Sequence, residues 1–133
     1  MAQQAYEYGP SQAAIDQLVT RFGDQVSLSS SVRERFGKDE SFHPSVPPDA
    51  VVTPNSTEEV SEIVTICAHH HVPVIPYGTG TALEGHVGAL YGGVCINMME
   101  MNQVLEVHAE DLDVVVQPGI TRKQLNEYLR DSG

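Results

Sequence analysis

The residues best placed to do chemistry are Pro76 to Gly85, PYGTGTALEG, directly after the apolar run VPVI at 72–75. Gly78, Gly80 and Gly85 free the backbone from Cβ interference and admit positive φ, while Thr79 and Thr81 add hydroxyls. Successive exposed N–H groups in such a loop make a concavity suited to an anion, so the chemistry to expect is that of a phosphate cradle. Two familiar phosphate motifs do not match. The dinucleotide fingerprint G-x-G-x-x-G places Leu83 where its third glycine belongs, and the Walker A pattern over Gly80 to Gly85 meets His86 and Val87 instead of lysine and a hydroxyl. A glycine-rich turn without a ligand is the competing reading on composition alone.

The charge balance limits how a phosphate could be held. With 18 acidic against 7 basic residues the net charge is −11, which argues against a surface for nucleic acid or anionic lipid. Backbone N–H groups and helix ends must therefore do the holding. The 133 residues fit one domain or part of a larger one. Cys67 and Cys95 show no CxxC spacing, so neither zinc nor a disulfide framework is signalled. No apolar run reaches the roughly 18 residues of a membrane span. The start, MAQQAYEYGPSQAAIDQLV, lacks a basic n-region and Arg-rich character, so the expectation is a targeting signal that is absent or lost with a missing N-terminus.

The elements that must position the loop can be read around it. Ile15, Leu18, Val19 and Phe22 recur at helical spacing between a Ser11 cap and Gly23. From Ser27 to Pro48 serine, charge and proline predict a connecting arm. DAVVTP predicts a strand, and NSTEEVSEIVTICAHHH a helix with a Ser56/Glu59 capping box and Val60, Ile63, Val64 and Cys67 on one face. With VPVIPY this makes a βαβ unit, its strands parallel and the glycine loop at a strand's carboxyl end, where α/β sheets bind ligands. GGVCINM, QVLEVHAE and DVVVQPG then predict three strands of a meander, and Thr121/Gln124 cap a final helix with a stripe of Leu125, Tyr128 and Leu129.

VPVIPYGTGTALEG followed by GGVCINMMEMNQVLEVHAEDLDVVVQPGITRKQLNEYLRDSG resembles the N-terminal part of the flavin-binding domain of FAD-linked D-lactate and D-2-hydroxyacid dehydrogenases, flavoproteins of the vanillyl-alcohol oxidase and p-cresol methylhydroxylase (PCMH) type. The resemblance runs from Arg33 to the last residue. It implies an α+β fold: a partial FAD-binding PCMH-type domain with a βαβ unit, a β-meander and flanking helices, divided into an N-terminal helix and arm at 1–48 and the incomplete FAD domain at 49–133.

It also implies that Pro76, Tyr77, Gly78, Thr79, Gly80, Thr81, Leu83, Glu84 and Gly85 wrap the FAD pyrophosphate, and that Pro118 and Gly119 lie beside the adenine end. FAD is expected to be noncovalent, with no bond to His86, which falls just past the motif. The implied whole enzyme moves a hydride from C2 of D-lactate or a related D-2-hydroxy acid to flavin and passes electrons to a cytochrome c-like acceptor. It would be mitochondrial in a eukaryote and otherwise cytoplasmic. No catalytic residue, metal ligand or nucleic-acid contact is assigned to these residues, and the chain alone is expected to be inactive. The alternative is a truncated flavin- or anion-binding module without catalysis.

Other conspicuous residues are set aside. His69, His70 and His71 are adjacent on a helix and point about 100° apart, so a solvated helix end is expected rather than a metal site. Cys67 and Cys95 are expected as buried small hydrophobes, and Met98, Met99 and Met101 as filling at a core edge. Glu58 with Glu59 suits a helix start, and Glu110 with Asp111 a solvated turn. Glu84, a carboxylate within an anion loop, is expected to turn away from the ligand and accept hydrogen bonds from the loop's own backbone.

Overall fold

The computed structural model describes residues 7–131. Helix α1 (Gln12–Phe22) leads through one 3-10 turn (Gly23–Gln25) into β1 (Val26–Ser27) and α2 (Ser30–Phe36). The segment expected as an unstructured arm thus carries a short strand and two turns of helix. Its prolines come only later, at Pro44, Pro47 and Pro48, so nothing opposes helix over SSVRERF, where Phe36 is buried and Arg33 Nε donates to Pro48 O at 2.7 Å.

Strand β2 (Ala50–Val52), helix α3 (Thr57–His69) and strand β3 (Val74–Tyr77) form the expected strand–helix–strand crossover. Ser56 Oγ accepts from Glu59 N at 3.2 Å, but the Glu59 carboxylate returns to Asn55 N rather than to its cap residue. Strands β2 and β3 are not paired with each other. Strand β4 (Val94–Asn97) lies between them, parallel to both, giving the order β1-β2-β4-β3 with β1 antiparallel at one edge. The expected three-stranded meander therefore divides. Strand β4 joins the parallel sheet, and only β5 (Val104–His108) and β6 (Asp113–Val116) pair as an antiparallel hairpin before α4 (Arg122–Leu129).

The sheet separates two cores. Val52, Val94 and Ile96 face α1 and α3, meeting Leu18, Phe22, Ile63 and Cys67, while Val51, Cys95, Ile75 and Tyr77 face α2 and the glycine loop, meeting Phe36, Val87 and Ala89. A central strand buried on both faces reads as a continuous apolar run, which explains VCI at 94–96. Val64 departs from expectation: it is exposed, because one position beyond the fully buried Ile63 it is turned about 100° off the packed face. The α4 stripe is uncovered as well, with Tyr128 exposed and Leu125 and Leu129 half-buried. The Thr121/Gln124 capping box forms in both directions.

Strand β3 ends the sheet, and Pro76 within it is tolerated because an edge strand has one side without a ladder partner. Its carboxyl end releases the chain into the glycine loop. Val87 and Ala89, both buried in the second core, take the chain back into the molecule and fix where the loop must return.

Candidate functional site

The loop from Gly78 to Gly85 is held at its ends and open along its middle. At the entry, Tyr77 is buried against Phe36 with ring centroids 4.7 Å apart, and its Oη donates to Lys38 O at 3.3 Å. Burial pushes the Tyr77 phenol up, so it stays a neutral donor. Gly80 has φ +69°, and a Cβ there would stand 2.0 Å from Tyr77 Oη, so the loop folds over the tyrosine only because position 80 has no side chain. Thr79 and Thr81 share a hydroxyl hydrogen bond of 3.1 Å.

At the exit the partner is a carboxylate, and it is not Glu84. Asp39, buried, accepts from Gly85 N at 2.9 Å and from Ser41 N at 3.0 Å, with Ser41 Oγ donating to it as well. Glu40 N donates to Ala82 O at 3.2 Å. Glu84 is exposed and its carboxylate accepts no hydrogen bond among the described residues, so the expected stabilisation by Glu84 of its own loop is replaced by stabilisation from Asp39, 46 positions before its partner Gly85. The Ser41 hydroxyl bond, together with the Ser41 and Gly85 backbone donors, holds the Asp39 carboxyl below the usual carboxylate range against the opposing effect of desolvation. A depressed native pKa means that the anchor's contribution is complete above the unfolded carboxylate range and fades as pH falls through the native value. A carbon-detected NMR titration should find the Asp39 carboxyl titrating below an aspartate in an unstructured peptide.

Between these anchors the backbone N–H groups of residues 78–84 donate to no other group among the described residues. Gly78, Thr79, Gly80, Thr81 and Ala82 line a cleft of about 200 Å³ with His86 and Val87, whereas Leu83 and Glu84 are not among its lining residues. The cleft is thus lined by five residues with uncommitted N–H groups, two of them bearing hydroxyls, and by His86, a composition that can bind an anion without lysine or arginine. A Cβ on Gly78 would enter open space, so its glycine keeps the approach clear. Asp39 and Glu84 line a separate hollow of about 220 Å³ on the arm side with His43 and Gly85, away from the threonines.

The remaining sequence-chosen residues sit as follows. Pro76 and Leu83 are exposed at the two ends of the loop, and Gly85 turns at φ +74° with its N–H already committed to Asp39. Pro118 is exposed, whereas Gly119 is buried, its N–H donating to Met101 O at 2.8 Å and its hypothetical Cβ 1.9 Å from Met98 O. That turn therefore packs by backbone against the end of β4. Asp39 is the contributor that the sequence did not disclose.

The family described as FAD binding domain matches residues 48–133. This chain belongs to that family. Over 126 residues the FAD-binding chain is 56% identical to the probable mitochondrial D-lactate dehydrogenase of Danio rerio, covering 91% of this chain and 25% of that protein. It is 47% identical over 121 residues to the mitochondrial D-lactate dehydrogenase [cytochrome] of Arabidopsis thaliana, covering 90% and 21%. The structure superposes on p-cresol methylhydroxylase with a TM-score of 0.79 at 24% identity, over 91% of this chain and 24% of that one, which establishes the PCMH-type fold. The chain thus spans about a quarter of the length of the curated relatives it matches.

The cysteines and histidines behave as packing and surface groups. Cys67 and Cys95 are free and buried, and burial pushes their thiols up to about 11 and about 12. Both should resist a thiol reagent in native buffer and react rapidly in denaturant, and fast native labelling of either would contradict the packing of β4 and α3. His70 meets Gln17 at 3.2 Å, and among the described residues no group of three or more His, Cys, Asp or Glu could hold a metal. No described helix is long and apolar enough to cross a membrane.

Proposed function

We propose that this chain is the FAD-binding portion of an oxidoreductase that converts D-lactate or a related D-2-hydroxy acid to the 2-oxo acid, with a cytochrome c-like electron acceptor. The observation that carries the reading is the run of free N–H groups over residues 78–84 in a glycine loop at the carboxyl end of a strand. The names of the Danio and Arabidopsis relatives supply the substrate class, and the bracketed cytochrome of the second supports the acceptor. Both names carry a mitochondrial location, which supports the same location if the source is a eukaryote.

In this reading Gly78, Thr79, Gly80, Thr81, Leu83 and Glu84 offer backbone donors to the pyrophosphate. Pro76 and Tyr77 fix the loop's entry, Gly85 its exit, and Pro118 and Gly119 form the turn beside the adenine. The residues fit a diphosphate because the cradle is concave, rich in donors and free of carboxylates on its threonine side. The chemistry supplied by bound FAD is acceptance of the substrate's C2 hydride, while this chain's share is binding and orientation. The domain division is 1–48 for the N-terminal helix and arm and 49–133 for the partial FAD domain. Attachment is noncovalent: the positions flanking Gly80 are threonines, and His86 lies past the motif.

The test is visible absorbance of the purified chain after incubation with FAD and desalting, followed by acid precipitation. Retained yellow colour that moves to the supernatant on acidification is the expected result. Colour held in the pellet contradicts noncovalent attachment, and colourless protein contradicts FAD binding by this portion on its own.

A further inference from the structure

We propose that Asp39 is a positioning residue of the pyrophosphate loop, and that the strap Lys38–Ser41 is part of the FAD site although it lies outside the family match at 48–133. The inference rests on the reading of the loop as a diphosphate cradle and names what holds that cradle in shape. Three consecutive strap residues grip the loop at separate points. Lys38 O accepts from Tyr77 Oη, Asp39 accepts from Gly85 N, and Glu40 N donates to Ala82 O. Ser41 orients the carboxylate by donating its N–H and hydroxyl to Asp39 Oδ1.

The division of donors follows from this grip. Asp39 takes the Gly85 N–H at the end of the loop and leaves those of residues 78–84 uncommitted. Its charge is satisfied by three donors and lies on the arm-side hollow, so it shapes the cradle without repelling an anion in the threonine cleft. The loop is otherwise an exposed glycine-rich segment whose ordering would oppose binding, and fixing its exit before the ligand arrives reduces that entropic cost.

Two measurements test the proposal on the full 133-residue chain: affinity for FAD, ADP and riboflavin by titration, and backbone amide exchange by NMR. In the parent, Gly85 N–H should be protected. Asp39→Ala should lose that protection and weaken FAD and ADP by about tenfold, the effect of one charge-assisted hydrogen bond, with Val94 to Ile96 still protected and riboflavin unaffected. Asp39→Asn, which keeps a carbonyl acceptor, should recover part of both. Unchanged FAD affinity in Asp39→Ala, or equal weakening of riboflavin, would overturn the positioning role. If Asp39→Ala loses core protection, Asp39→Asn decides against the parent: reduced Gly85 protection together with weakened FAD and ADP binding supports the strap, and reduced Gly85 protection with FAD and ADP bound as tightly as by the parent overturns it. A parent that binds no FAD contradicts FAD binding by this portion on its own instead, and Gly85 exchange then judges the strap alone.

Discussion

Gly80→Val should abolish flavin retention while leaving the sheet folded. Gly80 sits at φ +69°, a conformation that costs a β-branched residue on the order of 1–3 kcal/mol. The new Cβ would also fall 2.0 Å from Tyr77 Oη, and the Tyr77 ring cannot swing away freely because it is buried against Phe36. The loop must therefore leave its present course, which disperses the N–H groups of 78–84. The expected loss of FAD affinity is on the order of tenfold to a hundredfold, corresponding to about 1.4–3 kcal/mol. The core should survive, since no residue between Gly78 and Gly85 is buried. Adding Tyr77→Phe removes the atom in closest conflict but not the strain at φ, so it should restore binding only in part. Full retention of FAD by Gly80→Val, read by absorbance after desalting, would contradict the cradle.

Ile63→Ala should give the largest loss of stability from a single truncation. Ile63 is fully buried on α3, in the core that joins α1 to the sheet through Leu18, Phe22, Val52, Val94 and Ile96. Removing three carbons there costs the transfer energy and leaves a cavity that a parallel sheet cannot collapse to fill, about 2–5 kcal/mol in total. Urea denaturation should show a lower midpoint with an unchanged slope. The neighbouring Val64→Ala, on the exposed side, should change the midpoint little, and an equal loss at the two positions would mean that the packed face of α3 is misassigned.

What the sequence disclosed was what local chemistry encodes. Ser56, Thr121 and the apolar spacing of α3 mark their helices because caps and periodicity act within a few residues. PYGTGTALEG marks its loop because glycine is demanded by close approach and positive φ, as Gly80 and Gly85 show. The undisclosed features are long-range. Val94 to Ile96 has the same composition whether its strand extends a meander or inserts between β2 and β3, and only packing on both faces decides. The α2 helix lacks a side-chain cap and stands on Phe36 alone among its buried residues, so serine-rich composition hid it. Asp39 looks like any surface acid until the fold sets it against Gly85.

The central claim is that the backbone of residues 78–84 receives the FAD pyrophosphate. An amide-resolved NMR titration of the chain with FAD, and with ADP for comparison, examines those N–H groups one by one. The account predicts that the amides of Gly78, Thr79, Gly80, Thr81, Leu83 and Glu84 shift together and saturably with both ligands, while amides on α1 and α3 stay in place. Binding that leaves the 78–84 amides unmoved and shifts another surface instead would contradict it.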